Sequence, residues 1–314
     1  MMYKLLIASA LLFSNYIFAG ANMDNVRYSA YFKTLSSTCI LSVNGLDYLS
    51  TLKGSRNIST GSDITDALEN GVNNSIGLIF FPSESKIKTE TYSCEVKIVK
   101  SVPDRHDEIV TNFKVFFDGK NNRPFNDLEG YSIQDISDGT KQPIIKGISN
   151  RIIFSGEEKP EDWLTAYRNF TVSEIPVWRW TKATPQKDDL ALRSQLIAAY
   201  NELINDLKKR DLTTIKKKYS IALGEYAKAG LTDDTEFFFN SIGLVSALQK
   251  GEVILNPDWK KYKVLMYQNN RMFCLGIGGA SRNSPIQFFN AEGKKIFSWN
   301  PFFAMIDGKM VLVR

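Results

Sequence analysis

The side chains able to do chemistry in this 314-residue chain are few and scattered. The single histidine, His106, stands in Asp104-Arg105-His106-Asp107, a polar cluster that reads as an exposed loop. One imidazole in that half excludes Ser-His-Asp and Cys-His constellations from the C-terminal half, and multi-histidine metal sites from the whole chain. A carboxylate or tyrosine base stays open there. Asp233, Asp234 and Glu236 lie close together, but the start of a helix accounts for them. Gly276-Ile277-Gly278-Gly279 runs into Ala280-Ser281-Arg282 and enters no helix, so it serves a turn rather than a phosphate cradle. Asp118-Gly119-Lys120 lacks the acidic ladder of a calcium loop. The sequence therefore assigns no catalytic residue, no metal ligand and no cofactor.

Cys39, Cys94 and Cys274 fit no zinc spacing. Their compartment is read from residues 1–21, which carry an export pattern: Lys4, an apolar core from Leu5 to Phe18, and Ala19-Gly20-Ala21 as a small-x-small cleavage site. The apolar run is too short for a spanning helix, and no cysteine follows it at lipobox distance. In an oxidising compartment two cysteines bridge and an odd one is left over. Cys39 and Cys94 each begin an alternating strand-like run, so they are the expected disulfide; Cys274, among apolar residues, is the expected buried thiol. The address fits the bacterial periplasm, with secretion as the alternative. The sequons at Asn57, Asn73 and Asn169 matter only in a eukaryotic exporter.

Aromatic and basic residues carry the remaining recognition chemistry. Trp178 and Trp180 fall on one face of an expected strand, with Val177 and Arg179 on the other. That edge is either core or inter-domain packing, or a partner-binding edge, since Trp and Arg dominate interface hot spots. Phe237-Phe238-Phe239 cannot all face one core from a helix, so Phe237 joins Trp178, Arg179 and Trp180 as a candidate partner contact. Trp299, Phe302 and Phe303 read as a packed strand. A formal net charge of +5 is mild and dispersed, which argues against nucleic acid as a partner. Lys208-Lys209-Arg210 and Lys216-Lys217-Lys218 read as solvated helix faces.

The elements that position these groups follow two grammars. Residues 22–183 alternate with period two between turns rich in Gly, Asn, Asp and Pro, and predict an all-β sandwich. Cys39, Leu41 and Val43 share a face, as do Ile76, Leu78 and Phe80, then Tyr92, Cys94, Val96 and Ile98, then Phe113, Val115 and Phe117; Ile152 and Phe154 follow a polar connection at 119–143. A linker around Pro185 closes at 184–188, and residues 189–314 predict an α+β domain of three helices and an antiparallel meander. The first helix starts at Asp188 or Asp189 and runs to about Lys209. The second runs from Asp211 to Gly230 as a left-handed cap, and the third from a capping box of Asp233 and Glu236 to Gly251. Strands are expected at about 262–268, 271–277, 285–290, 295–305 and 309–314, with two-residue hairpin turns at Asn269-Asn270 and Asp307-Gly308.

Two resemblances accompany this reading. Val43-Asn44-Gly45, Asp63-Ile64-Thr65-Asp66-Ala67-Leu68 and Asn70-Gly71-Val72-Asn73 leading into Ile76-Gly77-Leu78-Ile79 are similar to turns of galactose-binding-like jelly-roll domains. That resemblance implies carbohydrate or surface binding and assigns no ligand residue. Residues 189–314, with the "RDLTTIKKKYS" step between helices and the closing Val311-Leu312-Val313-Arg314, resemble the nuclear-transport-factor-2-like cone, also called SnoaL-like or cystatin-like. Its implied His–Asp dyad cannot exist here, because the C-terminal half has no histidine.

Export, ample apolar content and the missing constellations together point to non-catalytic binding of a protein partner in the periplasm. The concrete form expected is an immunity-type protein that neutralises a toxin or other antibacterial effector by masking its active site. Two alternatives stay open. One is a small-molecule binder or enzyme built on the cone, and the other is a carbohydrate-binding envelope accessory protein.

Overall fold

The computed structural model describes residues 25–52, 55–82, 91–118, 123–125, 164–253, 256–277 and 283–314. The expected export signal, the strand at Ile152 and Phe154, most of the 119–143 connection and Gly278-Gly279 lie outside the described residues.

Alternation in the first half yields β1 Arg27–Leu35, β2 Ser37–Val43, β3 Leu46–Ser50, β4 Ile58–Asp63, β5 Gly71–Pro82, β6 Thr91–Ser101, β7 Glu108–Asp118, β8 Arg123–Phe125 and β9 Leu164–Val172. They form a five-stranded sheet in the order β4-β1-β6-β7-β8 and a four-stranded sheet in the order β3-β2-β5-β9, and every pairing between them is antiparallel. The period-two sets meet in one buried cluster: Ala30 and Phe32 of β1, Cys39 and Leu41 of β2, Leu78 and Phe80 of β5, Val96 and Ile98 of β6. Cys39 and Cys94 are disulfide-bonded with Cα atoms 6.3 Å apart, which ties the two sheets together as expected.

Five helices follow between residues 190 and 250: α1 Leu190–Lys208, α2 Leu212–Lys218, α3 Ser220–Ala229, α4 Thr235–Ser241 and α5 Leu244–Lys250. Two of the three expected helices are therefore split. The second breaks at the buried Tyr219, which packs edge-on against Trp299 at 5.6 Å. The third breaks at Gly243, whose φ of +80° cannot continue a right-handed helix. Asp189 and Asp211 cap α1 and α2 by accepting from the N–H of Leu192 and Thr214. For α4 the cap is Asp234, accepting from Phe237 N–H at 2.8 Å, and not Asp233. Glu236 instead pairs with Lys216.

The remaining strands are β10 Glu252–Val253, β11 Lys263–Tyr267, β12 Met272–Gly276, β13 Ile286–Phe289, β14 Lys295–Trp299, β15 Phe303–Ile306 and β16 Lys309–Leu312. The expected strand over 295–305 is interrupted at Asn300-Pro301, since proline cannot donate to a ladder. Its two parts join different sheets, β10-β13-β14 and β11-β12-β15-β16. Asp307-Gly308, with φ of +50° and +72°, is the expected two-residue turn. The connection at Asn269-Asn270 is longer: Tyr267 pairs with Met272, and Gln268, Asn269 and Asn270 are all left-handed.

The sheet β11-β12-β15-β16 is buried on both faces. Met272, Cys274, Ala304 and Ile306 face the core of the first half, while Phe273, Leu275 and Phe303 face the helices. This explains why β12 reads as the unbroken apolar run Met-Phe-Cys-Leu. The space between the helices and the strands is filled by Tyr200, Leu203, Phe273, Phe288 and Phe303.

Candidate functional site

The turn after β4 organises the junction between the halves. Residues Thr65–Ala67 form one 3-10 turn, anchored by Thr65 N–H donating to Asp63 Oδ1 at 2.8 Å. Its carbonyls accept from side chains of distant segments, Thr65 O in addition to the N–H of Leu68. Trp178 Nε1 donates to Thr65 O at 3.1 Å, and Trp180 Nε1 to Asp66 O at 3.2 Å. Gln268 and Asn44 both donate to Ala67 O, at 3.0 and 2.8 Å. Beside it Arg271 makes two hydrogen bonds to Glu69, at 2.8 and 2.9 Å, and lies over the Trp180 ring.

Against this turn opens a cleft of about 730 Å³. One wall is β2–β3, through Ile40, Leu46 and Tyr48; the other is the end of α3 with α4, through Tyr226, Gly230, Phe237 and Phe238. Tyr267, Cys274 and Phe302 contribute from the C-terminal sheet. Gly230 is needed here for close approach and not for its φ of −76°, because a Cβ would stand 2.7 Å from the Phe238 ring. The left-handed residue expected at that position is Leu231, at φ +58°. The Phe238 ring stacks on Tyr226 and meets Phe237 edge-on at 5.3 Å.

Four charged groups of the cleft, Arg27, Asp63, Asp66 and Arg314, are engaged with one another or with Glu225. Arg314, 5% exposed, donates from Nη1 to Glu225 Oε2 at 2.7 Å, and its Nε lies 3.3 Å from Asp66 Oδ2. Tyr48 donates to the other oxygen of Asp66 at 2.9 Å, and Arg179 N–H donates to Glu225 Oε1 at 2.5 Å. At the mouth, Arg27 Nε is 3.0 Å from Asp63 Oδ2 while its Nη2 donates to Gly230 O at 2.9 Å, reaching from β1 to the end of α3. Burial pushes the Tyr226 phenol up to about 12, against the opposing pull of Arg314. Burial and the neighbouring Asp66 hold Tyr48 well above the usual tyrosine range. Burial likewise raises the Asp63 carboxyl, against its hydrogen bonds from Thr65. Burial alone would lower Arg314, but Asp66, Tyr226 and Glu225 outweigh it and keep its pKa above the ordinary value. Phenols held this high keep their protons near neutral pH and act as donors rather than bases.

The residues singled out from sequence separate here. Trp178 and Trp180 do not lie on a strand: they occupy an irregular segment and a 3-10 turn, 1% and 0% exposed, so their indoles pack into the core. Their alternation with exposed Val177 and Arg179 is as expected. Phe237 is 60% exposed and lines the cleft. Trp299 and Phe303 are buried, whereas Phe302 reaches the cleft. His106 is exposed in the β6–β7 connection. Cys274 is buried and outside the disulfide. Among the described residues no group of three or more His, Cys, Asp or Glu could hold a metal ion, and no helix is long and apolar enough to cross a membrane. Tyr48, Asp63, Asp66, Tyr226 and Arg314 were not marked as site residues by sequence; Asp63, Asp66 and Arg314 entered only within the two resemblances. The one available signal was Glu225, an acid inside the apolar stripe of α3 between Ala222, Leu223 and Ala229.

Comparison with protein-family models, with curated proteins and with solved structures found no match to this chain.

Proposed function

We propose that this is an exported, non-catalytic binding protein of the bacterial periplasm that seats part of a protein partner in the cleft beside Phe237. The observation that carries this reading is an open, largely apolar cleft with an exposed phenylalanine at its rim and with Arg27, Asp63, Asp66 and Arg314 held in ion pairs. Such a surface offers a desolvated pocket for an anchor residue, as interface hot spots do. Two folding units, a β-sandwich over 22–183 and an α+β unit over 189–314, form its walls in this reading. An immunity-type role, in which the partner is a toxin or effector, is the concrete form that suits export and recognition without chemistry. The side-chain-filled space between helices and strands weighs for this reading over a cone-fold enzyme.

A second reading rests on the cleft volume, which lies in the range of small-molecule pockets. Affinity capture from the native host separates the two. Wild-type protein should retain one stoichiometric partner that Phe237→Asp loses and Ile109→Asp keeps, since Ile109 is equally exposed but outside the cleft. A co-purifying small molecule in native mass spectrometry, with no Phe237-dependent protein, would favour the second reading and overturn the first.

A further inference from the structure

The lining of the cleft also specifies the chemistry of its guest. Six aromatic rings surround it: Tyr48, Tyr226, Phe237, Phe238, Tyr267 and Phe302. Aromatic faces attract cations through the ring quadrupole, and more strongly where water is excluded. Among the described lining residues, the carboxylates Asp63 and Asp66 face two guanidiniums, Arg27 and Arg314, and Glu225 adds a third carboxylate behind Arg314. An anionic guest would meet this surplus of like charge; a cationic one would balance it.

The chain itself shows that guanidinium groups suit this site. Arg314 lies 5.3 Å from the Tyr226 ring centroid while contacting Asp66 and Glu225. Arg27 occupies the mouth beside Asp63, but the contact is imperfect. Its Nε and Asp63 Oδ2 are 3.0 Å apart, yet both atoms are buried without a hydrogen-bond partner. A better-aligned cation would satisfy Asp63 Oδ2 and relieve the burial of that carboxyl.

The geometry points to an arginine or lysine side chain of the protein partner as the group that enters the cleft, its stem against the aromatic rings and its head at Asp63. This inference rests on the proposed protein-binding role and names the anchor residue of that partner.

The test is a calorimetric titration of the full exported chain with N-acetyl-arginine amide and its neutral isostere N-acetyl-citrulline amide. The arginine probe should bind saturably and about tenfold more tightly than the citrulline probe, a preference between those of an exposed and a fully desolvated cation–π contact. Asp63→Asn should remove most of that preference. Phe237→Leu, a change at an exposed position, should weaken the arginine probe without lowering stability. Equal binding of the two probes, or no binding of either, would overturn the inference. Should a Phe237-dependent partner still be captured, only the choice of a cationic anchor has failed. Should no such partner exist, the protein-binding reading has failed whatever the probes do.

Discussion

Replacing Arg314 by methionine removes the cation between Asp66 and Glu225 while keeping a side chain of comparable length. Both acids are then left in a site where Arg314 itself is 5% exposed. Breaking a buried ion pair by deleting one partner costs about 3–5 kcal/mol, because the remaining charge is buried without compensation. Asp66 keeps its hydrogen bond from Tyr48, and Glu225 keeps that from Arg179 N–H. These contacts place the expected loss near the lower end, about 3 kcal/mol. For a chain of this size that lowers the melting temperature by roughly 4–5 °C. Urea unfolding, with the slope of the transition compared between variants, measures the loss directly. Adding Asp66→Asn and Glu225→Gln to Arg314→Met should restore part of it, since no buried charge then remains. A loss below about 1 kcal/mol for Arg314→Met, or no recovery in the triple variant, would refute the reasoning that this cluster is a buried charge clamp.

Other outcomes follow from neighbouring contacts. Unfolded tyrosine ionises near 10.0 while Tyr226 keeps its proton to about 12, so the folded chain binds more protons in this window and stability falls as pH rises through it. Tyr226→Phe should remove up to about 3 kcal/mol of that fall, read from urea titrations on both sides of the window; an unchanged slope contradicts it. The Cys39–Cys94 bridge spans a sequence separation of 55, and Cys39→Ser/Cys94→Ser should cost about 4 kcal/mol on the chain-entropy account. Alkylation of the native chain should label neither cysteine of the pair, and Cys274 only on unfolding; a free thiol at Cys39 or Cys94 would sink the bridge. At Gly77 a Cβ would stand 2.4 Å from the Tyr167 ring, so Gly77→Ala should destabilise by about 1–3 kcal/mol. Adding Tyr167→Ala should recover part of that loss, and strictly additive losses would show that the clash is not the cause.

Local signals proved legible where one periodicity governed one segment. The alternating sets of β2, β5 and β6 fixed their inward faces, and with them the Cys39–Cys94 pair, because period two leaves one assignment of faces once a core exists. Capping aspartates marked the starts of α1 and α2 for an equally local reason. The splits at Tyr219 and Gly243 were not legible, because the apolar stripe continues across both and tertiary packing sets the break. Trp178 and Trp180 alternate like a strand but donate to carbonyls more than a hundred residues away, a constraint that no local pattern encodes. The cleft was invisible for the same reason. Apart from Phe237, which its aromatic run had singled out, its parts come from residues 27, 48, 66, 226 and 314, each ordinary in its own segment and meaningful only once the turn at Thr65–Ala67 gathers them.

The proposed binding role requires that a protein partner contact the cleft at Phe237. A photo-reactive benzoylphenylalanine placed at that position in the full chain, and irradiated in the native host, tests it directly. One discrete adduct with a single partner is expected, absent when the same group stands at Ile109. No adduct at position 237, or the same adducts from both positions, would contradict it.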